Sequence, residues 1–306
     1  MLISFIIPAL NEESNIGQTL TSINSFEKQS DKHSTEVIVI DNGSTDDTVN
    51  IAERLGAKVM IEPEATIAGL RNHGASIAKG DVFIFLDSDV LLTPQWNENI
   101  DQVLEKVHES LDIITGSHTV PPESNNWLLK YWFSSFAAET ESEHVGSAHM
   151  IMSKNLFEKL NGFNGKLVTA EDYDICYRAK KENVKIINDR NLKVIHEDYP
   201  LTVSNFIKRE IWHGLGDCAS ISYALKSKSL IASVVFFSLI LSIFGFGYFD
   251  NYLLSSISLL SLCGLLLLSS WVKYKHSGYK FVLINAIIFI FYYTGRLLSL
   301  VKCALK

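Results

Sequence analysis

Val82-Phe83-Ile84-Phe85-Leu86-Asp87-Ser88-Asp89 is the stretch on which the fold turns. Five consecutive apolar residues are few for a buried helix. Their Val, Ile and two Phe suit a strand covered on both faces. Two upstream segments repeat the design: Ile3–Ile7 (ISFII), closed by Pro8, and Glu36–Ile40 (EVIVI). Between them, Ile16, Leu20 and Ile23 are spaced for a helix over Asn15–Phe26, and Thr48–Leu55 follows the same logic. Strand–helix–strand alternation predicts an α/β fold, a doubly wound and mostly parallel sheet flanked by helices.

Ligands of such sheets sit beyond the carboxyl ends of the strands. Here the three strands run into Pro8-Ala9-Leu10-Asn11-Glu12, Asp41-Asn42-Gly43-Ser44-Thr45-Asp46 and Asp87-Ser88-Asp89. Three polar clusters thus converge on one edge. No GxGxxG follows the first strand and no GxxxxGK[ST] loop is present, which disfavours a dinucleotide dehydrogenase and a P-loop NTPase.

The net charge of −7 hides a split. Of 27 Lys/Arg, eight lie from Lys226 onward, and of 34 Asp/Glu only Asp250 does, which leaves the first 225 residues at −14. A domain this acidic is a poor nucleic-acid binder, yet it holds phosphate well through a bridging divalent cation. Cys176, Cys218, Cys263 and Cys303 form no CxxC pair, so neither a zinc ribbon nor a disulfide framework is indicated. The opening MLISFIIPALNEES has no basic region and turns polar early, so it reads as a buried strand rather than a signal peptide.

The far end is different. Residues 230–249 and 252–272 carry no charge short of Asp250, and each approaches the length that crosses about 30 Å of hydrocarbon. Residues 281–301 are apolar as far as Gly295 and then meet Arg296, which is expected to snorkel to the interface if the segment spans. Two readings stand: three spans, or two spans and an interfacial segment. Lys226, Lys228, Lys273, Lys275 and Lys280 flank one side and Asp250 the other, which orients residues 1–225 to the cytoplasm and the anchor, 226–306, to the plasma (inner) membrane.

Candidate chemistry follows. Asp87 and Asp89 share a short loop. A few hard oxygen ligands suit Mg²⁺ or Mn²⁺ that also holds substrate phosphates and neutralises a departing diphosphate; a solvated turn uses the same residues. Glu171 and Asp172 open a segment with helical spacing at Ile175 and Ala179. In a first helical turn the dipole favours the ionised carboxylate, ready to take a proton from an acceptor hydroxyl; acidic capping also accounts for the pair. Arg71 offers a planar fork to a base or phosphate, or is a surface charge. His196, after the late-strand run Lys193–Ile195, completes a metal shell or is structural. Gly146-Ser147 admits a sugar close to the backbone, or is an ordinary turn. Trp127–Phe136 (WLLKYWFSSF) reads as a core-facing helix, with a membrane-facing or acceptor-binding surface as the alternative.

In order, the PALNE opening, the DNGSTDDT loop, the RNHGASIAKGD segment, the DSD motif, the Gly146 loop, the Glu171-Asp172 pair and the late His196 resemble the motif series of membrane-anchored, bacterial-type family 2 glycosyltransferases of the GT-A fold. The resemblance covers roughly the first 200 residues. It implies that Pro8, Ala9, Asn11 and Glu12 line a nucleoside pocket and that Asp41, beside Asn42, hydrogen-bonds the base, often uracil, with support from Arg71. It puts Asp87 and Ser88 by the ribose, Asp89 and His196 with Asp87 on the metal, and Gly146 by the donor sugar. Asp172, with Glu171 beside it, becomes the base of an inverting single displacement. The QxxRW motif of processive synthases is missing from Lys208–Gly214 (KREIWHG), which implies one sugar per encounter, and Arg209 and His213 are expected to reach the diphosphate from a mobile segment.

The expected partners are a nucleotide-sugar donor, UDP-linked by the resemblance, a lipid-linked or membrane-proximal saccharide acceptor in cell-surface polysaccharide or glycolipid synthesis, and membrane lipid, but no nucleic acid. A polyprenyl-phosphate sugar synthase is the nearest alternative. A silent nucleotide-binding membrane scaffold is disfavoured by the intact acidic clusters.

Overall fold

A computed structural model describes residues 1–109, 112–117, 119–133, 144–218 and 221–305. They form two compact units. The first takes the chain up to Pro122 and again from 144 to Asp198; the second takes 123–133 and everything from Tyr199. Hydropathy alone places a boundary at 225/226, whereas packing assigns the preceding helix to the second unit.

The first unit runs β1 (Leu2–Ala9), α1 (Ile16–Gln29), β2 (Ser34–Asp41), α2 (Thr48–Arg54), β3 (Lys58–Ile61), α3 (Ile67–Ile77), β4 (Val82–Leu86), β5 (Val90–Leu92), α4 (Pro94–Glu109), β6 (Ile113–Gly116), β7 (Thr119–Val120), β8 (His149–Ser153), α5 (Lys154–Lys159), α6 (Glu171–Lys181), β9 (Lys185–Asn188) and β10 (Val194–His196). Seven strands make one sheet in the order β3-β2-β1-β4-β8-β6-β9, parallel throughout except at β8. This is the mixed, mostly parallel sheet expected. A smaller sheet, β5-β10-β7, lies beside it.

Alternation in the central strands divides the core in two. Ile3, Phe5, Ile7 and Ile84 face Ile16, Leu20 and Trp96, while Ile6, Phe83 and Phe85 face Phe157 and Phe163. Burying each large apolar side chain contributes about 1.5–3 kcal/mol. The lone antiparallel strand has a positional consequence. Its entry, not its exit, lies at the edge where β1, β2 and β4 end, which brings residues 144–148 to that edge.

The second unit contains one turn of π-helix (Leu129–Phe133), α7 (Val203–Asp217), α8 (Ile221–Lys226), α9 (Lys228–Tyr248), α10 (Tyr252–Tyr274) and α11 (Tyr279–Ala304). The helices within Lys228–Tyr248, Tyr252–Ser277 and Tyr279–Ala304 are each long and apolar enough to cross a membrane. Trp132 is buried, with its ring against Phe206, Tyr274 and Phe289. Two carbonyls of the π-turn are capped by buried donors of the tail: Asn285 Nδ2 reaches Tyr131 O at 2.7 Å and the Tyr274 hydroxyl reaches Trp132 O at 3.0 Å. The aromatic run therefore serves the helical unit's core rather than that of the sheet; residues 134–136 of that run lie outside the described residues. Arg296 departs from its expected snorkelling. It turns inward to Glu210 (3.2 Å) and Asp217 (3.0 Å) on α7.

Candidate active site

β4 hands the chain to Asp87-Ser88-Asp89, and three backbone contacts fix that turn. Asp87 N donates to Ala148 O (3.2 Å), Ser88 O accepts the Thr19 hydroxyl (2.8 Å), and Asp89 O accepts Glu197 N (2.9 Å). Antiparallel pairing of β10 with β5 sets His196 opposite Val90, and His196 Nε2 lies 3.1 Å from Asp89 Oδ2. One ligand atom from each of Asp87, Asp89 and His196 falls within 4.8 Å of the others. Two carboxylate oxygens and an imidazole nitrogen so close together fit a divalent metal ion.

The second half of the site is joined to the first by Arg71 on α3. Its guanidinium is 1% exposed. One amino group donates to Asp87 Oδ1 at 2.5 Å and the other to Glu171 Oε1 at 2.8 Å. The fork expected to face a base or phosphate is therefore spent internally, tying the DSD turn to the Glu171-Asp172 pair. Glu171 is nearly enclosed and also accepts the Ser147 hydroxyl at 2.9 Å. Burial raises its pKa, against the opposing pull of Arg71.

Asp172 sits in the first turn of α6 with Glu171 and Asp174, where the helix dipole favours negative charge. The helix is entered through Ala170 at φ 66°, a left-handed conformation that strains a residue with a Cβ. Asp172 Oδ1 accepts its neighbour's backbone N (Tyr173, 2.7 Å). Oδ2 lies 3.1 Å from His144 Nε2 and 3.4 Å from Ser147 N. Burial opposes the charge on both partners of the His144–Asp172 pair, yet their mutual bond wins, raising the pKa of His144 and lowering that of Asp172. A Cβ on Gly146 would stand 3.8 Å from Asp172 Oδ2, ordinary contact, so steric crowding by that carboxylate does not account for this glycine.

The other two strand ends are knitted together. Asn11, at φ 54°, donates its backbone N to Ser44 Oγ (2.8 Å) and accepts Thr45 N on its side-chain oxygen (2.9 Å), and Glu12 N reaches Thr48 Oγ1 (2.7 Å). Asp41, 1% exposed, accepts Gly43 N, Ser44 N and the Ser44 hydroxyl, so it shapes its own loop. The Asn42 amide is engaged by the Ala65 backbone. Pro8 and Ala9 are buried within β1. Glu12 is half-buried; its pKa is raised by burial, against the Asn15 hydrogen bond, and by the field of Asp89, Asp198 and Asp87. Arg209 and His213 lie on α7 of the second unit, where Arg209 contacts Glu210 (3.3 Å) and stacks over Phe133.

His144 escaped the sequence reading, because nothing in Glu143-His144-Val145 marks it; only the return of β8 beside α6 gives it a role.

The chain is similar to known glycosyltransferases in sequence and to solved ones in fold. An uncharacterized glycosyltransferase of Rickettsia typhi is 35% identical over 101 residues, 33% of this chain and 32% of the relative. The chain thus spans about a third of the length of that relative. Glycosyltransferase AglE of Haloferax volcanii is 28% identical over 191 residues, 58% of this chain and 60% of AglE. Among solved structures, the mannosyltransferase PcManGT from Pyrobaculum calidifontis, in complex with GDP-Man and Mn²⁺, superposes with a TM-score of 0.58 at 17% identity, covering 99% of this chain and 86% of that one. S. aureus TarS 1-349 in complex with UDP-GlcNAc gives 0.52 at 19%, covering 97% and 90%. These likenesses show the GT-A fold. The family model for Glycosyl transferase family 2 matches residues 4–160, just over half of the sequence, and the chain belongs to that family.

Proposed function

We propose that this chain transfers one sugar per encounter, with inversion, from a nucleotide-sugar donor to a hydroxyl of a lipid-linked or membrane-proximal acceptor. The observation that carries the reading is Arg71, whose two contacts hold the metal-competent DSD turn and the Glu171-Asp172 pair as one constellation. The donor class is supported by the solved relatives with UDP-GlcNAc and with GDP-Man. The nucleoside pocket is assigned to the knitted loops 8–12 and 41–46, and Gly146 borders the sugar.

Asp172 takes the proton of the acceptor hydroxyl as that oxygen bonds the anomeric carbon. The anomeric carbon–oxygen bond to the nucleoside diphosphate breaks, and its electron pair leaves on the diphosphate oxygen. Attack on the face opposite the leaving group inverts the centre. Asp87, Asp89 and His196 would hold a divalent ion, which would supply charge neutralisation for that diphosphate. Arg71 and Ser147 hold Glu171 in place beside Asp172 through its Oε1. The lysines beside the apolar helices orient the catalytic unit to the cytoplasm.

Asp172→Asn keeps the shape of the side chain and removes its basicity. Transfer should fall by at least about a hundredfold, the ordinary contribution of a general base, while donor affinity stays unchanged by calorimetry. Full transfer activity in that variant would falsify the assignment.

A further inference from the structure

We propose that α11 does not cross the bilayer. It lies in the membrane plane across the foot of the α9–α10 hairpin, as a lipid-facing interfacial helix, so that the chain crosses twice. The contacts within the second unit carry this. Near the far end of the hairpin the Ser255 hydroxyl bonds Ile243 O at 2.9 Å, which sets the register of its two arms. Fourteen residues back along each arm, about 21 Å, Ser229 and Ser269 share one level at the foot.

α11 stays at that level. Near its start, Val282 O accepts the Ser270 hydroxyl at 2.6 Å. Fourteen residues later, Arg296 meets Asp217 at 3.0 Å, and the same Asp217 oxygen accepts the Ser229 hydroxyl at 3.1 Å. Between these points the Tyr293 hydroxyl meets Ser269 at 2.5 Å. A third antiparallel span would have carried Arg296 about 21 Å deeper, to the level of Ser255. An arginine side chain does not bridge that gap.

The outward face of α11 fits the same placement. From Leu283 to Val301 its exposed large hydrophobics are Leu283, Ile287, Ile290, Leu298 and Val301, at helical spacing, and the exposed charges Lys280 and Lys302 fall at the two ends. Arg296 points the other way, into Glu210 and Asp217. An in-plane helix with one apolar face seats that face at the headgroup–acyl boundary. The arrangement also keeps Lys302 on the same side as Lys273, Lys275 and Lys280, where a third span would send it across against the charge bias.

The test uses the full chain in sealed inside-out vesicles and does not depend on the sugar-transfer reading. A protease-cleavable tag placed after Leu305 leaves the sequence of every helix intact. It should be digested together with the first unit, while Asp250→Cys, at the hairpin tip of a chain whose four native cysteines are replaced by Ala, should resist an impermeant maleimide until the vesicles are opened. A tag protected while the first unit is digested means three crossings and overturns the proposal. A tip labelled in intact vesicles means no crossing by the hairpin and overturns it as well.

Discussion

His144 makes the charge state of the proposed base depend on a second side chain. Burial works against the imidazolium, but the Asp172 carboxylate raises the His144 pKa above its ordinary 6.5. Burial likewise works against the carboxylate, and the His144 bond outweighs it, holding Asp172 below its ordinary 3.8. The sign follows from linkage. The histidine's contribution to stability is full below 6.5 and is lost as pH rises through its raised value. That of Asp172 is present above 3.8 and is lost as pH falls through its lowered value. Glu171 adds to the rise at His144 and Arg71 to the fall at Asp172, so both favour the ionised pair. His144→Gln removes the cation and keeps a hydrogen-bond donor. The acid limb of the transfer rate should move to higher pH, with the deficit largest in acid. A loss of equal proportion at every pH would reduce His144 to a structural part. The places of Asp87 and Asp89 after a strand, Asp172 in a first helical turn and His196 at a strand's end were legible in the sequence, because local apolar patterns mark where strands stop and helices start. His144 and the inward turn of Arg71 were not, because their partners arrive from distant segments, 100 residues away for Arg71 and Glu171.

At the scale of elements, the strands announced themselves through runs of β-branched and aromatic residues, and α1 through its spacing. The antiparallel insertion of β8 was invisible, since direction in a sheet is set by topology rather than by local pattern. So was the π-turn at Leu129–Phe133, whose aromatic residues suit any core. The pairing of α7 with α11 is decided by what two glycines lack. A Cβ on Gly214 would stand 2.2 Å from Ser299 Oγ, and one on Gly295 would stand 2.7 Å from Glu210 Cβ and 3.1 Å from Ile207 O. Gly214→Val should push the two helices apart, strain the Glu210–Arg296–Asp217 pairs, and cost about 1–3 kcal/mol, the usual range for overpacking. Thermal unfolding of the detergent-solubilised chain reads it directly. A melting temperature equal to that of the parent would show that the helices are not held at this distance.

For the whole molecule, composition alone separated an acidic α/β part from a basic, apolar tail, because charge and hydropathy integrate over long windows. Where one compact unit gives way to the next depends on packing, and α7 shows the difference: polar enough to read as part of the first, it is fastened to α11 by ion pairs. A cation that binds the folded chain but not the unfolded one stabilises it by mass action, about 2.7 kcal/mol at a hundredfold excess over its Kd. Mn²⁺ should therefore raise the melting temperature of the full chain, EDTA should reverse the gain, and Asp89→Ala should abolish it. A gain that persists in Asp89→Ala would place the ion elsewhere.

The enclosed guanidinium of Arg71 has a consequence in time. Its first carboxylate, Asp87, leaves the ribosome almost with it, 16 residues behind, whereas Glu171 is 100 residues behind. Throughout that interval of synthesis the arginine has half its partners, and the nascent domain has no fixed geometry for its reacting groups. The constellation thus closes only after six of the seven strands of the large sheet have been made, an order of assembly set by the chain alone.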